Sequence, residues 1–181
     1  MGIRSVSADK LIIGSDFQEP IPVEGDGQAW MDPVHLTVNQ NLHIIDIDVQ
    51  LEITHTEVGD LKILLDCPWG QTIMLKDTWP LWRNPHPNMH GTIFDDEAVI
   101  PFREGVPPYT GRFLPEEDSL SIFDGHNARG VWTLRIWDAY SADVGTLDRW
   151  ELHIDHIPEP VSLFYLLLPL LFRLRRQPKI I

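Results

Sequence analysis

An all-β sandwich is the fold class this sequence predicts, and three observations carry the prediction. Apolar and polar residues alternate with period two over "IIDIDVQLEITHT". Gly and Pro recur throughout as turn signals, and no stretch before residue 158 keeps a 3.6-residue period for three turns. A single hairpin would not be stable in water, so strands this short must be layered as two packed sheets.

The elements follow in order. Residues 1–33 read as an irregular lead, because Pro20, Pro22, Gly25, Gly27 and Pro33 interrupt any period. In "IIDIDVQLEITHT" Ile45, Ile47, Val49, Leu51 and Ile53 share one face, and Asp46, Asp48, Gln50, Glu52 and Thr54 the other. That pattern predicts a half-buried strand. "GDLKILLD" and "QTIMLKD" predict two more, joined by a turn at Cys67-Pro68-Trp69-Gly70. "HGTIFDDEAVIPF" is extended with acidic interruptions, and "REGVPPYTGRFLPEEDSLSIFDGHNARG" reads as a long loop. "GVWTLRIWD" puts Trp132, Leu134 and Ile136 on one side, "GTLDRWELHI" does the same with Trp150, Leu152 and Ile154, and "DAYSADVG" turns between them.

Charge narrows the function classes. The chain carries −13 at pH 7, yet residues 158–181 hold Arg173, Arg175, Arg176 and Lys179 against Glu159, leaving −16 on the rest. So negative a body argues against nucleic-acid backbone binding, which needs a basic face, and favours cations or solubility. Cys67 is the single cysteine, so the chain forms no internal disulfide and no cysteine zinc site. The first twenty residues show no secretory h-region, and Val6 stands where a myristoylation signal has Ser or Thr.

Four blocks, "ITHTEVGDLKILLDCPWGQTIML", "TIFDDEA", "PPYTGRFLPEEDSLSIFDG" and "RGVWTLRIWDAYSADVGTLDRWELHI", together resemble the P domain (P/Homo B domain) of kexin- and furin-like subtilisin proteases. The departure is at Cys67 and Gln71, where that family usually shows Ser-Pro-x-Gly-Thr. The resemblance implies a jelly-roll β-sandwich of antiparallel strands over residues 34–157, a non-catalytic accessory or binding module. It also implies a subtilisin-like protease domain as a partner, and calcium as a candidate stabilising ion. Gly59, Gly111, Gly125, Gly130 and Gly145 then mark strand junctions, and Trp132 and Trp150 are core plates.

The chemically pointed residues are Asp95, Asp96 and Glu97. Three adjacent carboxylates repel one another, and a hard cation seeking six to eight oxygens would relieve them, with Asp60 and Asp138 as distant ligands. The competing reading is a solvated acidic edge, with Asp60 and Asp138 forming turns. His86 and His90 are four apart, but Pro85 and Pro87 break a helix and a third ligand is missing, which argues against zinc. His55 reads as a hydrogen-bonded structural histidine. No G-x-S-x-G elbow is present, and Ser119 and Ser121 lie in a proline-rich loop, so no serine hydrolase is visible. A carbohydrate or matrix binder would need Trp69, Trp79 and Trp82 as an exposed platform.

The end of the chain has its own logic. Val161 to Phe172 carries no charge and would make about 18 Å of helix, short of a bilayer core of about 30 Å. Pro158-Glu159-Pro160, this short apolar helical tail, and Arg173, Arg175 and Arg176 resemble the three parts of a PEP-CTERM sorting signal, read by an exosortase on exported bacterial proteins. The expectation is an exported protein of the cell envelope or exterior, touching membrane only through residues 161–172.

Overall fold

The structure, a computed structural model, describes residues 8–22, 30–79, 86–140 and 143–158. Among them nine strands form two sheets. The first runs in the order β1 (Asp9–Ile21), β9 (Gly145–Pro158), β3 (Leu42–His55), β6 (Met89–Phe94), β7 (Gly111–Phe113). The second runs β2 (Val34–Val38), β8 (Gly130–Asp138), β4 (Leu61–Asp66), β5 (Thr72–Lys76). Among the described residues helix is confined to three short 3-10 turns at Val58–Asp60, Phe102–Glu104 and Leu120–Phe123. The all-β two-sheet architecture is as expected. The pairing is antiparallel except that β6 and β7 run parallel, so the expectation of antiparallel strands fails at that one edge.

The core lies where the alternation placed it. Leu61, Ile63 and Leu65 of β4 and Trp132, Leu134 and Ile136 of β8 are fully buried with Val49, Leu51 and Ile53 of β3 and Trp150, Leu152 and Ile154 of β9. Trp132 stacks edge-on to Phe123 and donates its Nε1–H to the Ala128 carbonyl, so its polar handle is satisfied inside. The β4–β5 turn closes with Cys67 N–H on the Gln71 carbonyl and Gly70 N–H on the Cys67 carbonyl. Its Gly70 sits at φ +88°, a conformation cheap only for glycine.

Three sequence expectations are corrected. The lead is not irregular throughout, because residues 9–21 form β1, paired along β9. Its odd-numbered Leu11, Ile13 and Phe17 lean on the core while Ile12 faces out, and a two-residue irregularity between Asp16 and Glu19 breaks the period. In β3 the register shifts between Ile44 and Asp46. Ile45 is the extra residue and is 41% exposed, while Ile44 takes the inward place. The long loop is likewise not structureless: it holds β7 and two of the 3-10 turns.

Candidate functional site

Two groups of buried polar side chains stand out among the described residues. One is at the end where β3 and β8 finish and β9 begins, and the other is on the outer face of the five-stranded sheet.

At the first, β3 delivers His55 and β8 delivers Asp138, both with fully buried side chains. His55 Nδ1 accepts the Glu57 N–H (3.1 Å), which puts the ring proton on Nε2, donated to Asp138 Oδ2 at 3.1 Å. Asp138 Oδ1 accepts the Tyr140 N–H (3.1 Å). Glu57 holds the adjoining loops, accepting N–H groups from Gly59 and His86. The pair thus resembles two members of a catalytic triad, but it is sealed and engaged with backbone. His55 is structural, as its sequence context suggested.

Asp60 sits beside it, almost buried. Burial raises its pKa to about 7, aided by a hydrogen bond and like charge from Asp143, and by the charges of Asp138 and Glu57. Asp143 also accepts the Thr56 hydroxyl at 2.6 Å. Nearby Lys76 is fully buried, its Nζ donating to the carbonyls of Leu61 and Asp77 (2.8 Å each) and lying 4.4 Å from the Trp79 ring centroid. Burial pushes this ammonium down to about 7 against the pull of Glu116 and Asp77.

These two groups set a pH dependence of opposite signs. Between 3.8 and about 7 folded Asp60 holds a proton that the unfolded chain releases, so its contribution falls as pH rises. Between about 7 and 10.5 only the unfolded chain protonates Lys76, so its contribution rises with pH. Urea unfolding at acid, neutral and alkaline pH is therefore expected to show a dip near neutrality from this pair. Asp60→Asn should flatten the acid limb and Lys76→Met the alkaline one; unchanged limbs would reject the assignment.

The second group surrounds Arg112 of β7. Its Nη1 donates to Asp95 Oδ2 (2.5 Å) and Asp48 Oδ2 (3.0 Å). Burial acts to raise the Asp95 pKa, but Arg112 and the Glu97 N–H hold it below the ordinary carboxylate range. Burial and the charge of Asp46 raise Glu97, while burial and the charge of Asp48 raise Asp46. Asp48 is itself buried, with Oδ1 lacking a hydrogen-bond partner among the described residues.

The five expected ligands therefore do not converge. Asp60 and Asp138 belong to the first group, and Asp95 and Glu97 to the second. Asp96 turns away to cap the 3-10 turn at Leu120–Phe123: its oxygens accept the Leu120 and Ser121 N–H groups and the Ser119 hydroxyl. Among the described residues no group of three or more His, Cys, Asp or Glu is arranged to hold a metal ion. His86 and His90 face different carboxylates, Glu57 and Glu52. Ser119 and Ser121 bond each other and Asp96. Trp79 is 4% exposed within an aromatic cluster and so is no part of an exposed sugar platform, whereas Trp69 is 36% exposed and stacks on His126. Trp82 and Pro85 lie outside the described residues, as do Glu159, Pro160, Arg173, Arg175 and Arg176. Sequence reasoning missed Arg112, Asp143 and Lys76. For Asp143 the signal was its place in "DAYSADVG", five residues after Asp138.

Comparison with known proteins agrees with this architecture. A transglutaminase-activating metalloprotease of Streptomyces mobaraensis is 31% identical over 143 residues, which is 77% of this chain and 15% of that protein. Among solved structures, the complex of an Aeromonas sobria serine protease with its chaperone matches at TM-score 0.54 and 14% identity, over 84% of this chain and 28% of that one. The same serine protease solved by itself matches at TM-score 0.51 and 14% identity, over 83% and 27%. The chain thus spans less than a third of the length of each of these relatives. The proprotein convertase P-domain family model matches residues 44–154, from the inward-facing Ile44 to the last buried isoleucine of β9, and the chain belongs to that family.

Proposed function

We propose that the chain is a non-catalytic accessory module of an exported protease system, one that stabilises or positions a protease rather than cleaving peptides itself. The observation that carries this reading is the sealed His55–Asp138 pair: both side chains are fully buried, each is also bonded to a backbone N–H, and among the described residues neither is hydrogen-bonded to a serine or cysteine. The relatives add support. By name one is a metalloprotease and another a serine protease. What this chain shares with both is therefore not what fixes the cleavage chemistry.

Two finer features belong to the proposal. Residues 158–181 serve as the sorting label, with an exosortase-type enzyme as reader. Calcium is the stabilising ion of this reading, held otherwise than by the set Asp60, Asp95, Asp96, Glu97 and Asp138, whose members are engaged with separate partners.

The test is expression in the native host of the tagged full chain and of a chain ending at Ile157. Both are followed by cell fractionation and casein zymography of what each retains. The full chain is expected in the exported or envelope fraction with a casein-cleaving protein bound, and the shortened chain is expected to lose that location. Casein cleavage by the purified chain alone would overturn the accessory reading, and cytosolic recovery of both chains would overturn the sorting reading.

A further inference from the structure

The five-stranded sheet has two ends. At one, β7 is a short strand. At the other, β1 is long, pairs with β9 on one side, and has no strand on its other side among the described residues. An open edge of this length is a template for another strand, and proteins ordinarily shorten, charge or kink such edges. Here the kink comes late, between Asp16 and Glu19, so the stretch from Lys10 to Asp16 runs straight. Along it Ile12 is 56% exposed on the outer face, while Leu11 and Ile13 lean only partly into the core.

We propose that this edge pairs with the same edge of a second copy of the chain, antiparallel about a two-fold axis through Ile13, making one continuous sheet across the two molecules. Such an axis, perpendicular to the sheet, requires paired residues to share a face, which restricts the allowed registers to every second one. Of these, centring on Ile13 sets Lys10 opposite Asp16 of the second copy, twice by symmetry. It lays Ile12 over Gly14 of the second copy, and it brings the two Ile13 side chains together on the inner face. Gly14 has no side chain of its own to meet Ile12, and the Glu151 side chain of the same chain covers it, its Cγ 2.6 Å from where a Cβ would stand. Centring on Ile12 would put Lys10 over Gly14, and centring on Gly14 would put Ile12 over Asp16; neither makes an ion pair. Lys10 and Asp16 both remain partly exposed, so the pair across the axis would be shared with the partners each has in its own chain, Asp48 and Asp155 for Lys10 and Arg149 for Asp16.

The test is sedimentation velocity of the full chain from about 1 μM to about 1 mM, the range in which a contact this small would associate. The same measurement is made on Lys10→Glu, on Asp16→Lys, and on the two combined. A monomer–dimer equilibrium is expected for the unaltered chain. Each single change should weaken it about tenfold or more by setting like charges opposite, and the double change should return it to within about threefold. In Lys10→Glu the introduced carboxylate would still face Asp48 and Asp155 of its own chain, the two partners of the Lys10 ammonium. The melting midpoint is therefore expected to drop in both Lys10→Glu and the double variant, whereas dimerisation recovers only in the double. A monomer across the whole range, or association untouched by the single changes as expected of contact through the apolar residues 161–172, would overturn the proposal.

Discussion

Replacing Asp138 with alanine is expected to cost about 2–5 kcal/mol, since each buried donor left without its acceptor costs about 1–3 kcal/mol. The change strands two donors at once. His55 Nε2–H loses its acceptor in a place with no access to water, and the Tyr140 N–H loses the oxygen that turns the chain after β8. Relaxation is limited because the imidazole is also fixed through Nδ1 by the Glu57 N–H. His55→Ala should be of similar size, leaving the carboxylate buried opposite a cavity. The double variant should cost less than the sum by about 1–3 kcal/mol, the usual coupling of side chains in contact. Urea denaturation of the three variants reads this directly, and strictly additive losses would show that the two residues act independently.

Gly145→Ala is expected to be nearly as severe, about 3 kcal/mol, for a different reason: there is no room. An added Cβ would lie 2.3 Å from His55 Cδ2 and 2.4 Å from the Thr54 carbonyl. The second contact is to backbone paired across the ladder, where Thr54 faces Thr146 and His55 faces Gly145. Relief requires the start of β9 to withdraw from the end of β3, which also disturbs the His55–Asp138 hydrogen bond. Denaturant unfolding should show the loss, and hydrogen exchange should show it concentrated at residues 53–57 and 144–147. A Gly145→Ala chain of unchanged stability would mean that the strands separate here without cost.

The long alternating strands were legible because each has one face in the core and one in water, so burial wrote itself into the sequence at period two. Trp132, Leu134 and Ile136 are the clearest example. What stayed hidden depends on geometry between distant segments. The Ile45 bulge looks like continued alternation, because a bulge changes which residue faces in without changing the composition. β1 was obscured by Gly14 and Pro20, and by its place at the sheet edge, where Leu11 and Ile13 need only partial cover. The acidic triplet was visible, but its partners were not. Arg112 reaches Asp95 and Asp48 from β7, and the serines that engage Asp96 come from a loop more than twenty residues away. Lys76 gave no sign of being interior, because a lysine ending an apolar run usually points to solvent.

The position of β9 bears on how the molecule must come into being. The last of the nine strands, β9, is the second in its sheet, flanked by β1 from more than a hundred residues earlier and by β3, with a register running from Gly145 to His156 against the first and to Pro158 against the second. During synthesis, everything up to residue 144 therefore emerges before the strand that joins β1 to the rest of the sheet exists. Ordering of this sheet awaits the synthesis of β9 rather than advancing strand by strand, and its dependence on such distant pairings places it among the slower topologies. A ribosome paused before Gly145 would hold a chain whose apolar strand faces have no lasting partner, the condition in which a nascent protein most depends on chaperones.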